Sequence, residues 1–263
     1  MENPATNPDT PVIEMSGVIV GSLQDLQMVI LEDVNWTVNA RDYWVVAGMQ
    51  GSGKSDLLSL TAGLTPPQKG SYRLFGHDMP IYEGELLSLR LRIGLVFDGG
   101  HLFHNLTVRE NIALPLLYHK TLTRQEAEQQ VNAMLELTDL TSWADSTPGN
   151  LGRNVQKRVG LARALMLQPE VLLLDNPLGG LDVRQMSWWL NFLGQLSAGH
   201  PCMEGRRVTL VVTAEDLRPW RERANHFAIL KSKRFIPLGG QEQLMSTPDS
   251  LVKELLAEAP SGM

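Results

Sequence analysis

The run GMQGSGKS, residues 48–55, constrains the fold more than any other feature of the chain. Gly48, Met49, Gln50, Gly51, Ser52, Gly53, Lys54 and Ser55 fit G-x-x-x-x-G-K-[ST] without mismatch, between an apolar run, DYWVVAG, and GKSDLLSLTAGL. Such a loop works only where a strand delivers it and a helix leaves from it. Its glycines let backbone N–H groups curl around phosphate oxygens, and the helix N-terminus favours negative charge. In that setting Lys54 reaches the terminal phosphates and Ser55 ligates magnesium.

The rest of the chain supplies a matching frame. VLLLD, VTLVVT and HFAIL read as further buried strands, and the alternation of short apolar runs with amphipathic stretches predicts a mostly parallel sheet with helices packed on it. From about residue 103 to 167 the character changes to helical. Thr107 with Glu110, and Thr123 with Glu126, fit capping boxes, and Ala127, Val131, Met134 and Leu135 fall on one helix face. Val155, Val159, Ala162 and Met166 predict a helix returning to the core, stopped by Pro169. With 263 residues, 43% of them hydrophobic, the chain can bury a substantial core as one large α/β domain or two small ones.

Composition narrows the partners. A net charge of -6 gives no general attraction to nucleic acid or anionic lipid, so any phosphate chemistry is local. The single cysteine, Cys202, allows no internal disulfide. The start, MENPATNPDTPVIEM, reads as a polar tail rather than a secretory signal. Apolar runs fall short of the roughly 18 residues that span a bilayer, so a membrane role requires a partner.

Asp175, ending VLLLD, is the natural second magnesium group, because hard cations take oxygen ligands. Together with the glycine loop, several ordered segments then resemble an ABC-type ATP-binding cassette over about residues 12–256: RIGLVFDGGHLFHNLTVRENIALPL, QKRVGLARALMLQPEVLLLD, Gly180-Leu181-Asp182, and ANHFAILKSKRFIPLGGQEQL. GLVFDGGHLF, ALPLLYH and STPDSLVKELL are most similar to the ATPases of Mla/MCE-associated lipid transporters. The resemblance implies a P-loop NTPase core with a mostly parallel sheet, an N-terminal antiparallel β subdomain and an inserted helical subdomain, with tails at residues 1–11 and 257–263. It also implies ATP and Mg2+ as ligands, a second cassette paired head to tail, an integral-membrane permease, MCE-type lipid-binding partners, and a place on the cytoplasmic face of the membrane.

The chain departs from the family pattern where chemistry is expected. The family places glutamate at Asn176, glutamine at Asp98, histidine at Ala214 or the adjacent Glu215, and L-S-G-G-[QM] where this chain has Leu151, Gly152, Arg153, Asn154 and Val155. Asn176 can orient water but not deprotonate it, and Ala214 has no donor for a γ-phosphate. Arg153 and Asn154 replace glycines and would crowd phosphate. Alternatively, Arg153 offers its guanidinium as a clamp; crowding is the favoured reading, since an arginine at a helix end need not face ligand. Asp56 places a carboxylate where the family has a hydroxyl near the α-phosphate, and GVIVGSLQDLQMVILEDV lacks an adenine-stacking aromatic. Asp98 could still ligate magnesium beside Ser55 and Asp175.

These readings predict a subunit that binds Mg-ATP, hydrolyses it weakly or not at all, and serves a structural or regulatory role with a membrane permease. The rivals are a working ATPase using Asp98 or Glu215, and a non-transport ABC protein, which no coiled-coil insertion or second cassette supports. Of the remaining features, His101 and His104 read as loop packing, Trp188 and Trp189 as packing, RPWRERAN as a charged helix face and KSKR as a solvated hairpin turn.

Overall fold

The computed structural model describes residues 11–257, apart from 26, 80–86 and 121. The strands are β1 (Pro11–Gly21), β2 (Val29–Asn39), β3 (Tyr43–Gly48), β4 (Lys69–Leu74), β5 (His77–Asp78), β6 (Ile93–Val96), β7 (Val171–Leu174), β8 (Thr209–Ala214), β9 (His226–Lys231) and β10 (Arg234–Gly239). The helices are α1 (Lys54–Thr61), α2 (Leu87–Arg90), α3 (Val108–His119), α4 (Arg124–Leu137), α5 (Arg153–Leu165), α6 (Val183–Ala198), α7 (Gln241–Ser246) and α8 (Ser250–Leu256).

Among the described residues the strands lie in one order, β5-β4-β1-β2-β10-β9-β3-β8-β7-β6. From β9 to β6 every neighbour is parallel, whereas β5, β4, β1 and β2 run antiparallel, so the expected parallel core and antiparallel N-terminal layer are both present. A single parallel pairing, Arg234 with Glu32, joins β10 to β2 and links the two halves. The physical cause of the parallel half is legible in its strands. YWVVAG, VLLL and TLVVTA are buried at every position, as strands covered on both faces must be.

Because strand side chains alternate, each central strand feeds two cores. Val45, Ala47, Leu172, Leu174, Leu210 and Val212 pack on the side of α3 to α6, while Trp44, Val46, Val171, Leu173 and Val211 pack toward α1 and the antiparallel layer. Both predicted capping boxes form, and a third, Asp182 with Gln185, opens α6. Ala127, Val131, Met134 and Leu135 are all buried. On α5, Val159 and Ala162 are buried and Val155 half-buried; the helix ends at Leu165, and Gln168 turns left-handed ahead of Pro169.

RPWRERAN does not form a helix. Residues 218–223 are consecutive turns, with Trp220 and Arg221 both donating to the Leu217 carbonyl. Pro219 has no N–H to give, and burial of the Trp220 ring against Tyr43 draws the segment inward, while Arg218, Arg221, Glu222 and Arg223 face water. KSKR is a hairpin turn, with Ser232 and Lys233 at φ 51° and 60°. Trp189 is fully buried and Trp188 stacks on Phe192; His101 stacks on Phe97. Burial pushes the Cys202 thiol up to about 11, which leaves it unreactive at neutral pH.

One close approach seats the loop after β6 on α5. Gly100 has φ 82°, and a Cβ on Gly160 would lie 2.9 Å from its Cα. Both positions are therefore glycine by sterics. Gly160→Ala is expected to cost about 1–3 kcal/mol by overpacking against backbone, read as a lower urea midpoint with an unchanged m-value.

Candidate functional site

The loop between β3 and α1 is shaped by its glycines. Gly53 caps α1 at φ 96°, and a Cβ there would overlap the Ile30 side chain, so glycine alone fits. The Lys54 side chain is buried, and its Nζ donates to the Gly48 and Met49 carbonyls, both at 2.8 Å, and to Glu215 Oε1 at 3.4 Å. Burial lowers the Lys54 pKa, and the charges of Glu215 and Asp175 only partly offset that. Ser52 Oγ is buried without a partner among the described residues, an orphaned polar atom inside the cradle.

Ser55 and Asp175 meet as expected. Ser55 Oγ donates to Asp175 Oδ2 at 2.6 Å, and Thr213 Oγ1, on the intervening strand β8, donates to Oδ1 at 2.7 Å. A hydroxyl and a carboxylate at hydrogen-bond distance, beside a loop of backbone amides, form an oxygen donor set that fits magnesium. No cluster of three or more His, Cys, Asp or Glu residues suited to a metal occurs among the described residues.

Asp98 faces elsewhere. Arg153 Nη2 donates to its two oxygens at 2.8 and 2.7 Å, and Lys157 Nζ lies 2.9 Å from Oδ1. Burial works against the charged form, but hydrogen bonds and charges from Arg153 and Lys157 outweigh it and hold the carboxyl below the usual carboxylate range. Asp56 has a structural partner as well. Its Oδ1 accepts from the Leu23 N–H at 2.8 Å and ties the β1–β2 loop to the first turn of α1.

Segment 151–155 makes its contacts within its own chain. Leu151 is buried and Gly152 precedes α5 as its cap without a side-chain bond. Asn154 Oδ1 accepts from Trp189 Nε1 at 3.2 Å, Val155 packs on the core, and Arg153 lies over Gly180, where a Cβ would sit 3.6 Å from Arg153 Cδ and Nε. Gly180 has φ 73°, Leu181 packs on the core, and Asp182 caps α6.

Asn176 stands at φ 44°, a left-handed conformation that asparagine adopts more readily than glutamate. Its N–H donates to Thr213 Oγ1 at 2.9 Å, and its carbonyl accepts from Lys157 Nζ at 2.7 Å. Ala214 ends β8 and is buried, with Glu215 following it toward the loop. Sequence reasoning missed two residues here, Lys157 and Thr213. Lys157 carried a usable signal, four residues before Leu161 on the buried face of α5; Thr213, in an apolar strand, carried none beyond its hydroxyl.

A glycine-rich loop between a buried parallel strand and a helix, with its lysine enclosed and its serine bonded to an acid at the tip of β7, defines a P-loop nucleotide-binding protein. The family model described as "ABC transporter" matches residues 31–179, and the chain belongs to the ABC transporter family, whose cassettes bind Mg-ATP. It is 28% identical over 225 residues to a methionine import ATP-binding protein of Staphylococcus aureus, covering 85% of this chain and 64% of that one. It is 35% identical over 218 residues to the sulfate/thiosulfate import ATP-binding protein of Synechococcus elongatus, covering 83% of this chain and 60% of that one. The chain thus spans less than two thirds of the length of these relatives.

Among solved structures, the dimeric post-hydrolysis state of the ATP-binding cassette MJ0796 bound to ADP and Pi superposes with a TM-score of 0.75 at 25% identity, over 85% of this chain and 96% of that one. The cbiO1 protein of Clostridium perfringens, at 21% identity, shares the fold with the same TM-score over 90% of this chain and 92% of that one. No helix among the described residues is long and apolar enough to cross a membrane.

The depressed Asp98 pKa sets a pH dependence. Its contribution to stability is present above the ordinary aspartate value of about 4 and lost as pH falls through the lower folded value. Asp98→Asn is expected to cost about 2 kcal/mol at pH 7. The gap between the two proteins should stay constant above about pH 5 and close in stronger acid, measured by urea unfolding across pH.

Proposed function

We propose that this chain is the nucleotide-binding subunit of an ABC transporter, one that holds Mg-ATP through residues 48–55 and Asp175 but hydrolyses it slowly. The observation that carries the reading is the contrast at one site: an intact cradle, with Ser55 bonded to Asp175 at 2.6 Å, beside Asn176 and Ala214 in place of proton-handling groups. Backbone amides and Lys54 would bind and orient the phosphates, and Ser55 and Asp175 would hold magnesium, which supplies charge neutralisation when bound. The Asn176 amide can position a water and cannot accept its proton. Loss of a positioned base typically costs 10² to 10⁴ in rate, about 3–5 kcal/mol of barrier.

The chain would act on the cytoplasmic face of the membrane, with a permease and a second cassette, either another copy or an intact relative. Phe103, Leu117 and Tyr118 are large, exposed apolar side chains before and on α3, a surface suited to a membrane subunit. Transport of lipid, together with MCE-type proteins, is supported by the resemblance of residues 94–103 and 113–119 and of the C-terminal stretch; the named relatives handle other solutes. If the partner cassette uses segment 151–155, the Arg153–Asp98 pair must open or the guanidinium stays turned away.

A second reading, a working ATPase, draws on Glu215, whose carboxylate sits at Lys54 and is half-exposed. Asp98 suits that role less, since cations occupy both its oxygens. The purified chain is expected to bind Mg-ATP, to lose binding in Lys54→Ala, and to turn over at least about 100-fold below an intact cassette. Ordinary transporter rates, abolished by Lys54→Ala and by Glu215→Gln, would establish the second reading instead.

A further inference from the structure

A lysine ammonium has three N–H groups. In this chain all of them have acceptors before any phosphate arrives: the Gly48 carbonyl, the Met49 carbonyl and Glu215 Oε1. The first two belong to the loop itself and hold the side chain in place. The third is different in kind, because it brings a full negative charge to the one buried cation of the cradle. Among the described residues, Lys54 is the only cation paired with Glu215, whereas the next acid, Asp216, pairs with Arg218.

The charged partners of Lys54 are both acids, Glu215 and Asp175, of which Asp175 also feels Lys157. From α1 come Lys54 and Ser55; from the tip of β7 comes Asp175; from the end of β8 come Thr213 and Glu215. Lys157 and, when bound, magnesium would offset the charge of Asp175. Among the described residues, no second cation is paired with Glu215 to offset it once Lys54 is drawn to a phosphate.

We propose that Glu215 sets nucleotide preference at this P-loop: its carboxylate competes for Lys54 with the terminal phosphate of a nucleoside triphosphate, so the site favours the diphosphate. The inference rests on the nucleotide-binding reading above. A diphosphate leaves the lysine shared between its outer phosphate and Glu215. A triphosphate brings a third phosphate, with its added charge, toward the same carboxylate, and like charges in contact are strongly unfavourable. The side chain is half-exposed, so it can rotate away from Lys54, but residue 215 directly follows the last residue of β8 and its charge stays at the mouth of the site. Regulation follows from that geometry: the chain would rest in the diphosphate-bound form, and a triphosphate would have to break the Lys54–Glu215 pair to enter.

The test is calorimetric titration of the full chain with Mg-ADP and with a magnesium complex of a non-hydrolysable ATP analogue, in wild type, Glu215→Gln and Glu215→Ala, with Lys54→Ala as reference. Both Glu215 variants are expected to tighten the triphosphate analogue about tenfold or more while moving ADP by less than about threefold. The alanine variant separates loss of charge from any new amide contact, and melting curves establish that each variant is folded. Equal shifts for both nucleotides, no shift, or weaker triphosphate binding, with Lys54→Ala still abolishing both, would overturn the proposal and leave the P-loop reading intact. Binding of both nucleotides unchanged by Lys54→Ala would overturn that reading and this inference together.

Discussion

A buried ammonium holds the site together. Lys157 Nζ, on a side chain that is 1% exposed, donates to the carbonyls of Asn176 and Gly179 at 2.7 and 2.9 Å and pairs with Asp98 at 2.9 Å. An unpaired charge at that depth is untenable, so the turn after β7 and the loop after β6 must both close on α5 for the chain to fold. Three separate segments are fixed relative to one another by one side chain. Lys157 thereby holds the carbonyl of Asn176, the residue after Asp175, and shares Asp98 with Arg153.

Pairing inside the chain recurs at the polar residues around the site. Residues that would each repel or crowd a phosphate when considered alone have partners inside the chain: Asp98 on Arg153 and Lys157, Asn154 on Trp189, Asp56 on the Leu23 N–H, Glu215 on Lys54. An acid after β6, Asp98, meets a base at the start of α5, Arg153. The cradle carries the glycines, lysine and serine of the P-loop pattern.

Much of the fold was legible because its causes are local. Uninterrupted apolar strands marked the parallel core, capping boxes at Thr107 and Thr123 marked two helix starts, and the glycine loop demanded a strand before it and a helix after it. Segment 218–225 misled because its charge pattern is helix-like, while Pro219 and the pull of the core on Trp220 act against a helix. Thr213 was invisible because a threonine in a buried strand looks like any β-branched filler until a carboxylate is placed beside it.

The sequence by itself determined the ligand chemistry, since a phosphate cradle depends on glycine torsions and on a lysine and serine within a few residues of each other. It also determined that Asn176 and Ala214 cannot take a proton, because an amide or a methyl group has that limit in any fold. Tertiary structure alone decided where the charges went. Asp98 and Arg153 are 55 residues apart in the chain and Lys54 and Glu215 are 161 apart, and no local rule couples them. Their pairing comes from strands and helices brought together by burial, which turns apparent repulsion into internal neutralisation.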